Sequence, residues 1–211
     1  FNEINEKDFN LIKKNKKLEK ININPIIETQ GLLIADKDSK GIFIRSVDSN
    51  YLIKRKDFIN KIIQGSIFSN NSNEIIIGSQ LANSLDLSIN DKVKIAIPKT
   101  DNTLFGNIPR FKTLIISGIF NLGIYEYDLN FVFIPISIGQ NILSLKENQF
   151  NNIEIFIKNP EEVEEYKNLL NDFFYNNNLN YLYTITWKDL NKSFLEALKI
   201  ERNVMFLILT L

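Results

Sequence analysis

The amino-acid sequence predicts an α+β fold, and two observations carry this prediction. Several short runs alternate apolar and polar residues, which is typical of half-buried strands, and other runs repeat apolar residues at helical spacing. The chain has 211 residues, of which 44% are hydrophobic. This is enough to bury the core of one large domain or of two small ones.

The N-terminal elements are one helix followed by two strands. Apolar spacing predicts a helix over Phe9–Leu18, and alternation predicts strands over Ile26–Ile34 and Gly41–Val47. The polar segment Asp36–Lys40 between the strands predicts a turn, which makes them a hairpin. A short helix is expected over Arg55–Ile63.

A Ser/Asn-rich connection, Gly65–Asn73, separates this part from a compact middle block. The block is expected to contain four strands and two helices, and Ser79 is expected to cap the first helix. The strands are Glu74–Ile77, Lys92–Ile97, Lys112–Asn121 and Asn130–Pro135, and the helices are Gln80–Leu85 and Ser137–Leu145.

The last part is a predicted strand, helix and strand over Asn152–Lys158, Pro160–Tyr175 and Asn180–Thr186. Asn159 can cap the helix, and the acidic residues that follow Pro160 suit the positive end of a helix dipole. These carboxylates are therefore interpreted as helix-start residues. Residues 1–64 and 150–200 are expected to form one βαβ-type layered subdomain, with residues 65–149 inserted as a small barrel.

Composition excludes several classes of function. The chain has 25 Lys and Arg residues and 25 Asp and Glu residues, so it has no net positive charge that would favour binding to nucleic acid. The basic run Lys13–Lys20 lacks interleaved aromatic residues for base stacking, which favours a solvated helix face. Histidine and cysteine are both absent, which removes Ser-His-Asp and Cys-His catalysis and metal sites built from these residues. We expect no catalytic residue, no metal and no cofactor. The sequence has no Gly-rich phosphate-binding loop, so we expect any ATP to be bound and hydrolysed by another subunit.

Residues 203–211 form an apolar run that is too short to cross a membrane, since about 20 apolar residues are needed. We interpret this run as the start of a transmembrane helix. The preceding residues would then form a water-soluble domain held at a membrane surface.

A long connection, residues 98–112, lies between two predicted strands and carries apolar residues among Gly, Asn and Pro. Long loops in compact domains tend to be functional or disordered. Two interpretations fit the spacing equally well. The loop either protrudes and inserts into a partner, or it folds back and covers its own barrel.

Several motifs, taken in order, resemble the LolC/LolE family of lipoprotein-releasing permeases. The resemblance covers nearly the whole chain from Asn24 onward and includes the stretch that leads into the second membrane helix of this family. The motifs are Ile76–Ala82, Thr103–Lys112, Ser117–Phe120, Tyr125–Asp128, Trp187 and Leu195–Met205.

The resemblance implies a MacB-like periplasmic domain, with residues 1–64 and 150–200 as a Porter-like subdomain and residues 65–149 as a Sabre-like subdomain. It implies a non-catalytic permease subunit of an ABC transporter in the bacterial inner membrane, anchored by flanking transmembrane helices. Such a transporter extracts lipoproteins from the membrane and passes them to a LolA-type periplasmic carrier. The other implied partners are a second permease subunit (LolE-like or a second copy) and a LolD-like cytoplasmic ATPase subunit.

The resemblance also implies a partner-binding hook within the loop 99–112. Carried over, the hook segment is Thr103–Pro109, comprising Thr103, Leu104, Phe105, Gly106, Asn107, Ile108 and Pro109, with Leu104 and Phe105 at its tip. Arg110, Lys112 and Lys94 are candidates for a supporting pad. The family hook often has Pro-Met at its tip, where this chain has Leu104-Phe105.

Three other functions remain as alternatives. A MacB-like efflux permease and an FtsX-like regulatory permease belong to the same superfamily, but neither explains the segment Thr103–Lys112. A membrane-anchored periplasmic enzyme is disfavoured, because the sequence has no evident catalytic set.

Overall fold

The computed structural model describes residues 3–15, 18, 21–36, 38–103 and 106–210, and for residues 98–103 and 106–108 it describes the backbone alone. The chain has a mixed α/β architecture. The strands are β1 (Ile4–Asn5), β2 (Asn22–Ile34), β3 (Ser39–Val47), β4 (Ile62–Gly65), β5 (Glu74–Gly78), β6 (Lys92–Thr103), β7 (Gly106–Phe120), β8 (Phe131–Pro135), β9 (Gln149–Phe150) and β10 (Asn152–Phe156). The helices are α1 (Glu6–Lys13), α2 (Ser49–Lys54), α3 (Lys56–Ile59), α4 (Ser79–Leu85), α5 (Tyr125–Asn130), α6 (Ile136–Leu143), α7 (Val163–Asn176), α8 (Trp187–Leu190) and α9 (Lys192–Thr210).

Six strands close into a ring of pairings. β2 pairs with both β3 and β6, and the ring continues from β3 through β8, β5 and β7 back to β6. The β3–β8 and β5–β7 pairs are parallel, and the β5–β8 pair is antiparallel. β10 and β4 extend this barrel as additional strands on β2 and β7. Closure leaves fewer free strand edges than an open sheet would have.

The barrel interior is an aliphatic core. Alternation along each strand sends one set of side chains inward, and isoleucine dominates that set. Residues from α4 and α6 join the same buried cluster, and burial of this apolar area is the main stabilising term of the fold. Members include Ile27, Leu33, Ile44, Ile75, Ile77, Leu81, Ile95, Leu114, Ile116, Val132, Ile134 and Ile138.

A second core lies on the outer face of the strands, beneath α2 and α3, and is partly aromatic. The Phe58 and Phe133 rings have centroids 4.8 Å apart in an edge arrangement, and Phe120 lies 5.5 Å from Phe133. Edge-to-face pairs of this kind add to the free energy gained from burial alone. The outer core therefore fixes the short helices α2 and α3 to the barrel.

Charged residues hold β10 beside β2 and β3. Arg45 of β3 forms ion pairs with Glu154 at 2.7 Å and Glu28 at 2.8 Å, and Tyr51 donates a hydrogen bond to Glu154. Burial opposes the charge of Arg45, but the two carboxylates outweigh it and raise the pKa of Arg45 overall. Arg45 thus stays charged, and the cluster joins three strands to α2.

Two of the family-like motifs meet at Gly78, the residue before α4. A Cβ atom at this position would lie 2.1 Å from the backbone oxygen of Asp128. Asp128 is 2% exposed, and its carboxylate accepts hydrogen bonds from the backbone N–H of Leu122 at 2.7 Å and of Gly123 at 3.1 Å. The Ile76–Ala82 and Tyr125–Asp128 motifs therefore form one packing contact.

Most predicted elements form where the pattern places them, with several local corrections. The predicted helix Arg55–Ile63 is only α3, since its last residues join β4, and α2 and α5 form at positions that were not predicted. Ser79 is not a cap, because Gly78 occupies the N-cap position. Asn180–Thr186 forms no strand, because no described strand pairs with it.

The chain divides into two compact units, Glu3–Ile155 and Phe156–Leu211. Strands from the predicted subdomain ranges 1–64 and 65–149 share the closed barrel, because β2 and β3 pair directly with β6 and β8. The names Porter-like and Sabre-like stay predictions.

In the C-terminal unit, Asn159 accepts a hydrogen bond from the Glu161 backbone N–H at 3.1 Å, as expected of a cap, and a 3-10 turn precedes α7. Residues Val204–Leu209 of α9 are each more than half exposed. None of the helices in the described part of the chain combines the length and apolarity that crossing a membrane requires. The interpretation of residues 203–211 as the start of a transmembrane helix stays a prediction.

The start of α8 yields a pH prediction. Lys167 donates to the Asp189 carboxylate at 2.8 Å, and Thr186 completes a capping box with it, which lowers the pKa of Asp189 from 3.8 to about 2. Because the folded-state pKa is depressed, the stabilisation is complete above pH 3.8 and is lost as pH falls through 2. In a carboxyl-carbon NMR titration, Asp189 should titrate near pH 2, and Lys167→Met should raise this midpoint. A midpoint at or above 3.8 in the unsubstituted protein would contradict the prediction.

Candidate functional site

The candidate site is the ribbon formed by β6 and β7 where they leave the barrel. β2 accompanies β6 only as far as Ala96, which pairs with Leu32. Beyond that point β6 and β7 continue alone, through pairs from Thr100–Pro109 to Thr103–Gly106. At about 3.4 Å per residue, the stretch from Ile97 to Thr103 extends about 20 Å as a two-stranded ribbon.

This ribbon corrects the expectation that residues 98–112 form a long connection outside the two predicted strands. The segment is a β-hairpin, with a register shift between Ile97 and Thr100. The prolines had suggested a loop, but Pro98 lies in the register shift and Pro109 lies on a strand with a single partner there. Both are places where a missing N–H breaks no central ladder.

Of the predicted hook segment, Thr103 and Gly106 form the last described pair of the ladder, and Asn107 and Ile108 follow in β7. Leu104 and Phe105, the predicted tip, lie outside the described residues. Pro109 is exposed. The predicted hook segment therefore begins and ends on the two strands of a ribbon that continues past the last pair between β2 and β6.

Arg110 ties the base of the ribbon to the end of α6. Its Nη1 atom donates to the Ile142 carbonyl at 3.1 Å, to the Asn141 carbonyl at 3.5 Å and to the Ser144 hydroxyl. Ser144 ends α6 in a left-handed conformation, where the helix presents unsatisfied carbonyls and a partial negative charge. A guanidinium group suits this position, so the predicted pad residue Arg110 also has a structural role within the domain itself.

We expect Arg110→Gln to loosen the ribbon. Loss of a charged donor at a helix C-terminus should lower the free energy of unfolding by about 1 kcal/mol. Amide hydrogen exchange in residues 99–103 and 106–108 should accelerate, because an isolated two-stranded ribbon is only marginally stable. Lys112→Gln is the matched control, since it removes a charge two residues away. Equal exchange rates in the two variants would contradict the anchoring role.

The other two pad candidates lie on opposite faces of the barrel wall. Lys112 pairs with Ile95, whose side chain is fully buried in the interior, and Lys112 itself is half-buried. Lys94 pairs with Thr113 and is exposed on the outer face. Because successive residues of a strand point to opposite faces, Arg110 and Lys112 share one face and Lys94 does not.

One feature of the ribbon base was not predicted. Leu32, Ala96 and Phe111 lie side by side on β2, β6 and β7 on the outer face. Leu32 is 47% exposed and Phe111 is 57% exposed, so the base of the ribbon presents apolar surface. Alternation along β2 and β7 places Leu32 and Phe111 on the outer face of their strands. Only the pairing of β6 with both strands brings the two side chains close together.

Comparison with known proteins gives relatives at low identity. No protein-family model matches the chain. The chain is 24% identical over 189 residues to the lipoprotein-releasing system transmembrane protein LolC of Neisseria meningitidis serogroup B, and 25% identical over 189 residues to LolC of Xylella fastidiosa. These alignments cover 89% of this chain, but only 45% and 44% of the relatives, so the chain spans less than half of their length.

Among solved structures, the chain is similar to the extracellular domain of the noncanonical ABC-type transporter YknZ from Gram-positive bacteria. The TM-score is 0.54 at 15% sequence identity, covering 81% of this chain and 83% of that one. At this identity the similarity concerns the fold alone.

Proposed function

Since the resemblance to the LolC/LolE family is confirmed by these relatives, we propose that this chain is the periplasmic domain of an inner-membrane permease that releases lipoproteins. The domain would bind no nucleotide and catalyse no reaction. Its task would be to hand the released lipoprotein to a LolA-type carrier through the hook segment Thr103–Pro109.

The observation that carries this proposal is the β6–β7 ribbon. A ribbon that continues for several registered pairs beyond the β2–β6 pairing supports a role in contacting another molecule, because no other described strand pairs with it there. The ribbon lies where the resemblance places the hook. The Arg110 contacts with α6 stiffen its base, and a preorganised element loses less entropy on binding.

The exposed apolar row at the base extends the proposed contact. Leu32 and Phe111 lie one pair below the Ile97–Arg110 pair, on the outer wall. A carrier that holds the hook would come close to this row and to Lys94. Arg110, Lys112 and Lys94 as pad residues belong to the proposal.

The remaining partners follow from the same proposal. A LolD-like cytoplasmic subunit would hydrolyse ATP, and a second permease subunit, LolE-like or a second copy, would complete the transporter. Lipoproteins would be the substrates. Transmembrane helices flanking the domain would place it on the periplasmic side of the inner membrane.

The fold shared with YknZ favours one alternative, an extracytoplasmic domain of a different exporter such as a MacB-like permease. The two functions differ in whether a lipoprotein carrier binds. An FtsX-like regulator or an anchored enzyme likewise gives no reason for carrier binding.

The experiment that tests the proposal is direct binding to a purified LolA-type carrier. Isothermal titration of the 211-residue chain in mild detergent should give one-to-one binding. The carrier already loaded with lipoprotein should bind more weakly, because its apolar cavity is then filled. Absence of binding to the empty carrier would reject the lipoprotein-release function and favour the exporter alternative.

A further inference from the structure

A polar cleft of about 430 Å³ lies where β4, the end of β7 and α4 meet. Phe120 of β7 pairs with Ile62 on one side and with Gly78 on the other, so β4 and the start of α4 flank the same end of β7. All three elements contribute to the lining. The volume lies within the range typical of small-molecule sites.

The lining is rich in carboxamide groups. Among the described residues, none forms a hydrogen bond with the side chain of Gln64, Gln80 or Asn83. Each of these groups offers one acceptor oxygen and two donor N–H bonds. Asn121 adds a further NH2 group, since its side-chain oxygen already accepts a hydrogen bond from the Gly123 backbone N–H at 2.9 Å. The cleft therefore presents donors and acceptors together.

Ser79 provides a second, independent observation. It lines the cleft and is only 6% exposed, and its hydroxyl has no hydrogen-bond partner within the described structure. By contrast, the hydroxyl of Ser84 in the same helix donates to the Leu81 carbonyl at 2.9 Å. A buried hydroxyl without a partner is unfavourable, and a polar group that reaches it from the cleft would remove this cost.

The charge of the lining limits the class of ligand. Asp86 is the one ionisable residue that lines the cleft in the described part of the chain, and it ends α4, where helix carbonyls carry a partial negative charge. An anion is therefore disfavoured. A single carboxylate is too little for a metal ion such as Ca²⁺, which takes several oxygen ligands. An apolar ligand would leave the carboxamides without water or a partner.

We propose that this cleft binds a neutral sugar, as one hexose unit of a saccharide. Each sugar hydroxyl both donates and accepts, as the carboxamides and the serine hydroxyl do. The Asp86 carboxylate can accept from two neighbouring hydroxyls. Ile63, which is 54% exposed, lines the cleft and offers an apolar surface to the C–H groups of the sugar ring.

The test is an NMR titration of the isotope-labelled 211-residue chain in a detergent without a sugar headgroup. The probes are glucose, galactose, mannose and N-acetylglucosamine. At least one sugar should shift the amide signals of Gln64, Gln80, Asn83 and Asn121 in a saturable way, with a Kd below about 10 mM. The affinity should not change with salt concentration, because the ligand carries no charge.

Two substitutions with matched controls locate the site. Asn83→Ala should weaken binding about fivefold, as expected for one lost hydrogen bond, whereas Asn168→Ala should leave it unchanged. Asn168 is likewise an exposed asparagine within a helix, α7. Ser79→Ala should weaken binding several-fold without lowering the melting temperature, because the hydroxyl that it removes has no partner within the described structure. Ser84→Ala, in the same helix, should leave binding unchanged.

The proposal is overturned if none of the four sugars binds at about 10 mM, if the shifted signals lie elsewhere, or if Asn83→Ala binds like the unsubstituted chain. Spermidine is the probe for the rival class, a cationic amine held by Asp86. If spermidine saturates the same signals in a salt-sensitive way and the sugars do not, the cleft is a cation site and the sugar is rejected. None of these outcomes depends on carrier binding, so the proposed function is tested separately.

Discussion

Replacing both Leu104 and Phe105 by aspartate should abolish binding to the carrier. Two apolar anchors placed in an apolar cavity contribute roughly 2–5 kcal/mol before ordering costs. Two carboxylates would instead have to be desolvated there, which is strongly unfavourable. Calorimetry should therefore show a loss of at least about 30-fold in affinity, and binding should fall below detection for a micromolar complex.

The same double substitution should hardly change thermal stability. In the sequence the two positions lie between Thr103 and Gly106, which form the last described pair of the ribbon, so we expect them to add little to the core. The melting temperature should stay within about 2 °C. Unfolding of the variant would mean that these residues cover the core. Carrier binding that survives the change would reject the hook.

The matched control is Ile124→Asp with Tyr125→Asp. These are also adjacent apolar residues, 50% and 62% exposed, and they lie away from the ribbon at the start of α5. The control introduces the same charge. It should leave carrier binding unchanged, which separates the loss of anchors from a general effect of two added negative charges.

Gly78→Ala should cause a large loss of stability. The backbone at Gly78 has φ −75° and ψ 152°, which alanine adopts without strain, so the reason is space. A Cβ would lie 2.1 Å from the carbonyl oxygen of Asp128 and 2.6 Å from its carbonyl carbon, and backbone atoms cannot rotate away. Moving Asp128 would also displace its two hydrogen bonds to Leu122 and Gly123.

We expect a loss of about 3 kcal/mol or more, at the upper end of the range for overpacking. For a domain of this size this corresponds to a melting temperature lower by roughly 6–12 °C. Gly41→Ala is the control, because nothing lies within 4 Å of a Cβ built there. Gly41→Ala should change stability by less than about 0.5 kcal/mol. Similar melting curves for the two variants would contradict the close contact at Gly78.

The spacing of apolar residues and the capping residues were sufficient to predict those helices and strands that depend mainly on their own sequence. Alternation located β2, β3, β5 and β10, and the acidic start after Asn159 located the helix that contains α7. The order of short motifs was sufficient for the resemblance to the LolC/LolE family. The absence of histidine and cysteine limits the available chemistry whatever the fold.

Only the tertiary structure decided what depends on pairing between distant segments. The apolar alternation of Asn180–Thr186 predicts a strand, but a strand requires a partner and none is described for it. The reverse holds for the segment 98–112, where Gly, Asn and Pro indicate a loop and the β6–β7 ladder nevertheless continues to Thr103 and Gly106.

The candidate site shows the same division. The sequence alone determined which residues are apolar and which are charged, and hence where a hook segment is expected. The structure decided that Arg110 contacts the end of α6, that Lys94 and Lys112 lie on opposite faces, and that Leu32 lies near Phe111. These contacts join residues up to about 80 positions apart in the chain, and single-sequence patterns carry no information on which distant strands pair.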